Sequence, residues 1–318
     1  EDQDIDQTVD RAEQALFSAS ERRITRDLTP VQQVIRSYYD RIEYLYDHQD
    51  EPLGVPTGFI DLDRLLGGLQ RSDLILIAAR PSVGKTSLGI SIARHAADLG
   101  QHVAIFSLEM SSEQVVQRMV SAETGINAQR LRLGDLREQE WPLFVQATGR
   151  LSDLPLYIDD TPSISVLQMR TKARRLHAEH GIDLILVDYL QLMTAGDMRS
   201  ESRVQEVSYI SRSLKGLARE LDVPLVAISQ LSRAVEQRSD KKPILADFRA
   251  SGSLEQDADV VMFIYRDELY NPDTAEPNIA DVIVAKHRNG PTGAIQLFFR
   301  DQLAQFLDAE TRREPVEF

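Results

Sequence analysis

The sequence predicts an α/β protein with a mostly parallel sheet flanked by helices, preceded by a separate helical segment. Three observations carry this. Short apolar runs recur along most of the chain with helical patterns between them. The runs are apolar throughout rather than alternating, as strands covered on both faces must be. Residues 1–50 read differently, with helical spacing and no apolar run.

In that first segment Ile5, Val9, Ala12, Leu16 and Ala19 follow a 4-3-4-3 spacing, one face of a helix. The other face is charged, and so short a helix is unstable alone, so it must dock on something. A second helix is expected through LTPVQQVIRSYYDRIEYLY. Thr29 would cap it, Pro30 takes the first helical position and Gln32 completes a capping box. The polar, Pro/Gly-rich DHQDEPLGVPTG is a connector, which divides the chain into 1–50 and 51–318.

Strands are expected at 74–79, 102–109, 154–159, 182–188 and 223–229. Helices are expected at 85–99, through much of 111–151, at 164–180 and at 203–221, the last with Val204, Val207, Ile210, Leu214, Leu217 and Leu221 on one face. The runs at 259–266, 280–288 and 293–300 have few helices between them and read as an antiparallel or mixed extension of the sheet.

With 318 residues, 42% of them hydrophobic, the chain can bury a large core. No window approaches the ~18 apolar residues of a membrane span, and the acidic start EDQDIDQTVD is unlike a signal peptide. The absence of cysteine removes disulfides, thiolate catalysis and Cys-bound zinc, and fits a cytoplasmic protein. A net charge of -14 argues against a simple basic patch for nucleic acid, but not against a few donors lining a narrow channel.

Residues 79–86, A-R-P-S-V-G-K-T, match the phosphate-loop pattern G-x-x-x-x-G-K-[ST] except at the first glycine, with an apolar strand before and a helix after. Alanine can make the turn out of the strand if its φ is negative. Backbone N–H groups of Ser82, Val83, Gly84, Lys85, Thr86 and Ser87 would cradle phosphates. Lys85 would reach the β/γ-phosphates, and Thr86 would ligate Mg²⁺. LILVD ends at Asp188, a carboxylate at a buried strand tip, suited to Mg²⁺ or to starting a turn. FSLEM carries Glu109 past another tip, where it can polarise an attacking water or cap the helix before Ser111. Gln230, after VAIS, is placed to contact a γ-phosphate or is a polar loop residue. Each assignment is ambiguous alone, but strand ends converging on one phosphate site support ATP as the ligand. The histidines show no metal-ligand spacing, and Trp141 and the Tyr38/Tyr39 pair read as packing residues.

GVPTGFIDLDRLLGGLQRSDLILIAARPSVGKTS, FSLEM, LILVDYLQLM, AISQLSR, DFRASGSLEQDADVV and AKHRNGPTG occur in this order. The set resembles the motor domain of the bacterial replicative helicases, the DnaB family, from about residue 8 to residue 308. That family commonly lacks the first loop glycine too. The resemblance implies a RecA-like P-loop ATPase core and a homohexameric ring around single-stranded DNA. It implies 5′→3′ movement, with ATP and Mg²⁺ required. The first helix becomes a linker that packs on the neighbouring protomer. Lys286 and Arg288 would reach the neighbour's γ-phosphate, although by themselves they read as a basic strand tip before an Asn-Gly turn. Arg249, Ser251 and Gly252 would face DNA in the channel, and the charged stretch 232–243 would be a channel or surface loop. Where family members often have Glu this chain has Ala250, so no role is carried over there. The family's N-terminal helical domain, not part of this sequence, contacts primase; primase and a helicase loader are therefore implied partners. A motor and an ATP-switched assembly scaffold of the same fold both fit.

Overall fold

The computed structural model describes residues 29–47, 53–196, 202–238, 240–251 and 253–309. The predicted helix around residues 5–19 lies outside them. The chain divides after Glu51 into two units. In the first, α1 (Val31–Asp47) is the expected second helix, starting one residue after Pro30. Val31, Ile35, Tyr38 and Ile42 recur at helical spacing along it and are exposed. Tyr38 and Tyr39, expected to pack, are exposed.

In the second unit the apolar runs become β1 (Leu74–Ala79), β2 (Val103–Ser107), β3 (Leu156–Asp159), β4 (Leu184–Asp188), β5 (Leu225–Gln230) and β6 (Val260–Tyr265). These are parallel to one another. Beyond them β7 (Ile279–His287), β8 (Gly293–Arg300) and β9 (Gln305–Asp308) add on antiparallel. The order across the nine-stranded sheet is β3-β2-β4-β5-β1-β6-β7-β8-β9. The expected mixed extension is thus present, with one short strand more than predicted.

Every residue of β1 is buried because the sheet has a core on each face. Ile75, Ile77 and Ala79 pack with α2 (Ile60–Leu66), α3 (Lys85–Asp98) and α4 (Ser112–Thr124), through residues such as Leu62, Leu88, Ile92, Val115 and Met119. Leu74, Leu76 and Ala78 pack on the other face with α7 (Val166–His180) and α8 (Arg203–Leu221), through Met169, Val207, Ile210, Leu214 and Leu217. Period-two alternation within an apolar strand sends neighbours to opposite cores. Serine starts several helices. Ser111 and Ser165 form capping boxes with Gln114 and Gln168, and Ser202 accepts from the Gln205 N–H. The short α5 (Ala128–Arg132) and α6 (Trp141–Ser152) lie between β2 and β3 in sequence. Trp141 is half-exposed, edge-on to Phe144 at 5.7 Å, and is not the core residue its size suggests.

At the end of the sheet where the parallel strands begin, Asp259 is 3% exposed and accepts from the Leu74 N–H at 2.9 Å and from Lys215. Asp73 stands beside them, 3.8 Å from the Lys215 ammonium. Burial, then Asp259, push the Asp73 carboxyl from 3.8 up to about 6, with Lys215 opposing. The folded chain therefore holds this proton more tightly than the unfolded chain. The stability it contributes is full below pH 3.8 and is lost as pH rises through about 6. Asp73→Asn should raise the melting temperature at pH 8 by a few degrees, about 1 kcal/mol once partial exposure is allowed for. The gain should shrink as pH falls from 7 towards 4. Thermal melts of both proteins across that range check it, and a gain independent of pH would contradict the assignment.

Candidate nucleotide-binding site

Because β1, β2, β4 and β5 are parallel, their last residues share one end of the sheet. Ala79 is paired with Gln230, and Ser107 with Asp188. The predicted loop runs from the tip of β1 into α3. Ala79 is fully buried and lacks a positive φ, so alanine is tolerated where the pattern expects glycine. The left-handed conformations fall instead at Ser82 (φ 64°) and Gly84 (φ 115°). Gly84 is required twice over: its φ is unfavourable for a side chain, and a Cβ there would lie 3.0 Å from the Phe306 ring. Val83 and Ser87 are buried, and Ser82 is exposed at the crest of the loop.

Thr86, the second residue of α3, donates its hydroxyl to Asp188 Oδ2 at 2.7 Å. Asp188 is 3% exposed, and its Oδ1 is buried with no hydrogen-bond partner. Burial pushes the Asp188 carboxyl up to about 6; the Thr86 bond, Lys85 and Arg118 oppose this, while Glu109 adds to it. A buried carboxylate oxygen without a partner, beside a hydroxyl, is a donor set for a hard cation, and the pair fits Mg²⁺. Among the described residues no group of three or more His, Cys, Asp or Glu can cage a metal, so a cation here would take its remaining ligands from phosphate and water. Lys85 donates to the Arg80 carbonyl at 3.0 Å. Its burial lowers the ammonium pKa, with Asp188 and Glu109 pulling it back.

Glu109 is exposed two residues beyond β2, and it does not cap α4, because Ser111 does. Gln230 ends β5. Its backbone N–H donates to Gln191 Oε1, and its carbonyl accepts from Gln191 Nε2, both at 3.3 Å. Sequence reasoning missed Gln191, which ties the tips of β4 and β5 together. It also missed Arg118, which reads as a surface cation on an amphipathic helix. In the structure Arg118 is drawn to Asp188 and Glu109 while burial lowers its pKa. No local spacing signals either one.

The site does not include Lys286 and Arg288. β7 runs antiparallel to β6 with His287 opposite Val260, so these residues stand where the parallel strands begin. The six residues of β1 separate that end from the phosphate loop, about 20 Å at the rise of an extended chain. Lys286 donates to the carbonyls of Glu255 and Ala258, each at 2.7 Å, at the end of α9 (Leu254–Asp257). Arg288 lies just past β7 with its side chain 67% exposed, 3.6 Å from Asp259. Arg249 and Ser251 belong to the 3-10 turn Leu245–Ser251, but their side chains, and Gly252 altogether, lie outside the described residues. Among the described residues no helix is long and apolar enough to cross a membrane.

Residues 54–308 match the DnaB-like helicase C terminal domain family. The chain is 50% identical to the replicative DNA helicase DnaB of Geobacillus stearothermophilus, covering 99% of this chain and 69% of that protein. It is 48% identical to the replicative DNA helicase DnaC of Bacillus subtilis (strain 168), covering 97% and 68%. An ATPase domain solved as a separate chain superposes with a TM-score of 0.84 at 39% identity, over 89% of this chain and all of that one. A DnaB-like replicative helicase, solved in a study of its interactions with primase, gives 0.80 at 39% identity, over 89% and 68%. The RadB recombinase, at 17% identity and a TM-score of 0.51, shares the RecA-like fold alone. A family match over residues 54–308, and half of the aligned residues shared with a replicative helicase, mean that this chain belongs to the DnaB-like replicative DNA helicases and carries their ATP-hydrolysing domain.

Proposed function

We propose that the chain works as a homohexameric ring, hydrolysing ATP between protomers to move 5′→3′ along single-stranded DNA and unwind duplex ahead. The observation that carries this is the separation of Arg288 from its own phosphate loop by the length of β1. An arginine at that distance cannot serve its own chain, but a head-to-tail contact brings it to the next one. It would then stabilise charge on the transferring phosphate in trans. The carbonyls of Glu255, Gln256 and Ala258 take up the three donors of Lys286, so it can join only by releasing at least one of them.

Within one protomer, the loop N–H groups of Ser82 to Ser87 and the Lys85 ammonium hold the phosphates. Thr86 and Asp188 would hold Mg²⁺, which would supply positive charge to offset that of the phosphate oxygens. Glu109, exposed and close to Lys85 and Asp188 in charge, orients and polarises the attacking water. Gln230 meets the γ-phosphate from the tip of β5. Arg249, Ser251 and Gly252 contact the DNA backbone, so binding is sequence-tolerant and salt-sensitive. The first fifty residues dock on a neighbouring protomer, a role that suits the exposed apolar side chains of α1. Primase is a proposed partner by likeness to the DnaB-like helicase studied with it, a helicase loader is proposed on the resemblance of the motifs alone, and the cysteine-free chain suits a reducing cytoplasm.

The test is unwinding of a labelled fork from which the 5′ or the 3′ tail has been removed, with ATP and Mg²⁺. Unwinding should require the 5′ tail. Rings that bind DNA but hydrolyse ATP without response to it, and open no fork, would favour an assembly scaffold instead.

A further inference from the structure

We propose that Arg80 is a positioning residue that relays the state of the phosphate loop to the 233–251 segment through its ion pair with Glu236. This rests on the reading above that the Leu245–Ser251 turn meets DNA. Arg80 follows β1 directly and lies inside the phosphate-loop motif, where a cation would be expected to face phosphate. Its side chain is only 10% exposed and turns the other way. Nε donates to Glu236 Oε1 at 2.7 Å and Nη1 to the Leu231 carbonyl at 2.8 Å. The backbone of the same residue faces the nucleotide side, since its carbonyl accepts from Lys85 Nζ at 3.0 Å. An ammonium has three donors, so Lys85 can hold this carbonyl and phosphate together. One residue is thus held at its main chain by the phosphate lysine, and at its side chain by the stretch that follows β5.

That stretch leads on to the turn. Glu236 belongs to the 3-10 turn Arg233–Gln237, which the fully buried Val235 seats in the core. Two residues later, Arg238 Nη2 lies 3.2 Å from Asp247 Oδ2 and donates to the Lys242 carbonyl at 2.5 Å. Asp247 also accepts from the Ile244 N–H at 2.8 Å, at the head of the turn that bears Arg249. Phe248, 1% exposed, anchors the turn against Phe263 at 5.5 Å. Lys241 sits 5.3 Å above the Tyr270 ring, so the intervening loop is held from a second side. Lys85 thus meets the Arg80 carbonyl, the Arg80 side chain pairs with Glu236, and two residues of backbone lead from Glu236 to Arg238 and its ion pair with Asp247.

Glu236→Gln keeps the shape and removes the charge, and Arg80 keeps the Leu231 carbonyl. The assembled protein and this variant are compared for ATP turnover with and without an oligo-dT strand. Affinity for the same strand is measured with a non-hydrolysable ATP analogue and with ADP. Basal turnover should stay within about twofold and melting within a few degrees, as for an exposed-side substitution. The ratio of DNA affinities between the two nucleotides should collapse by about fivefold or more, the lower range of allosteric couplings. Arg80→Lys should lower the same ratio, and the double variant should fall no further than either single, as for residues acting through one contact. Glu236→Asp should fall between wild type and Glu236→Gln. An unchanged ratio in Glu236→Gln overturns the relay. So does a uniform loss of turnover, affinity and melting temperature with the ratio kept, which would make the pair merely structural. Should Glu236→Gln not fold, the ratio in Arg80→Lys decides in the same way. A wild-type protein whose DNA affinity and turnover ignore each other would remove the DNA-motor reading along with the relay. A responsive wild type with an equally responsive variant removes the relay alone.

Discussion

Arg288→Ala is expected to lower ATP turnover of the assembled protein by about 10³-fold or more, the effect of losing an arginine that reaches a transferring phosphate from a neighbour. Folding should be nearly untouched, because the side chain is 67% exposed and its ion pair to Asp259 is long at 3.6 Å. The decisive form of the experiment mixes Arg288→Ala protein with Lys85→Ala protein. Each is inactive alone. In randomly mixed rings roughly a quarter of the head-to-tail contacts pair an intact Lys85 with an intact Arg288. Turnover should reappear in proportion. Mixed rings shown to form but to hydrolyse nothing would mean that the arginine does not act across the contact.

Lys85→Ala should cut turnover by about 10²–10³-fold, the loss seen when one preorganised donor to developing charge is removed. The ammonium is partly buried at a cost, with Asp188 and Glu109 as its compensating charges. A cation kept there has a reason other than stability, so removal should damage the chemistry far more than the fold. Steady-state hydrolysis, nucleotide binding and thermal melting, taken together, separate these. Near-normal turnover would sink the loop as the hydrolytic site.

Much of this site is legible in the sequence because buried parallel strands announce themselves as unbroken apolar runs, and a carboxylate or amide at the end of such a run has only one place to be. Asp188 and Gln230 end their strands and Glu109 stands just past β2, where the runs put them, and β1 is placed to the residue. What escaped was decided by contacts far apart in sequence. Arg80 pairs with Glu236, 156 positions on, and Arg118 on α4 is drawn to Asp188 on β4. A cation on an amphipathic helix, or next to a loop, carries no mark of its partner. β9 escaped for a different reason: QFLD is four residues long and too short to show a period. Trp141 misled because a large aromatic side chain suggests burial, whereas α6 buries only Ala147 completely.

The ring of Phe306 lies 3.0 Å from where a Cβ on Gly84 would go, and the two residues are 222 positions apart (306 − 84). The phosphate loop is written early in the chain, but its apolar seat is supplied by the last strand of the sheet. During synthesis the ribosome has released nearly the whole domain before that seat exists. Domains fold as units, and contacts of such long separation close late. ATP therefore has no finished pocket on a nascent chain, and the capacity to bind it arrives together with the completed sheet.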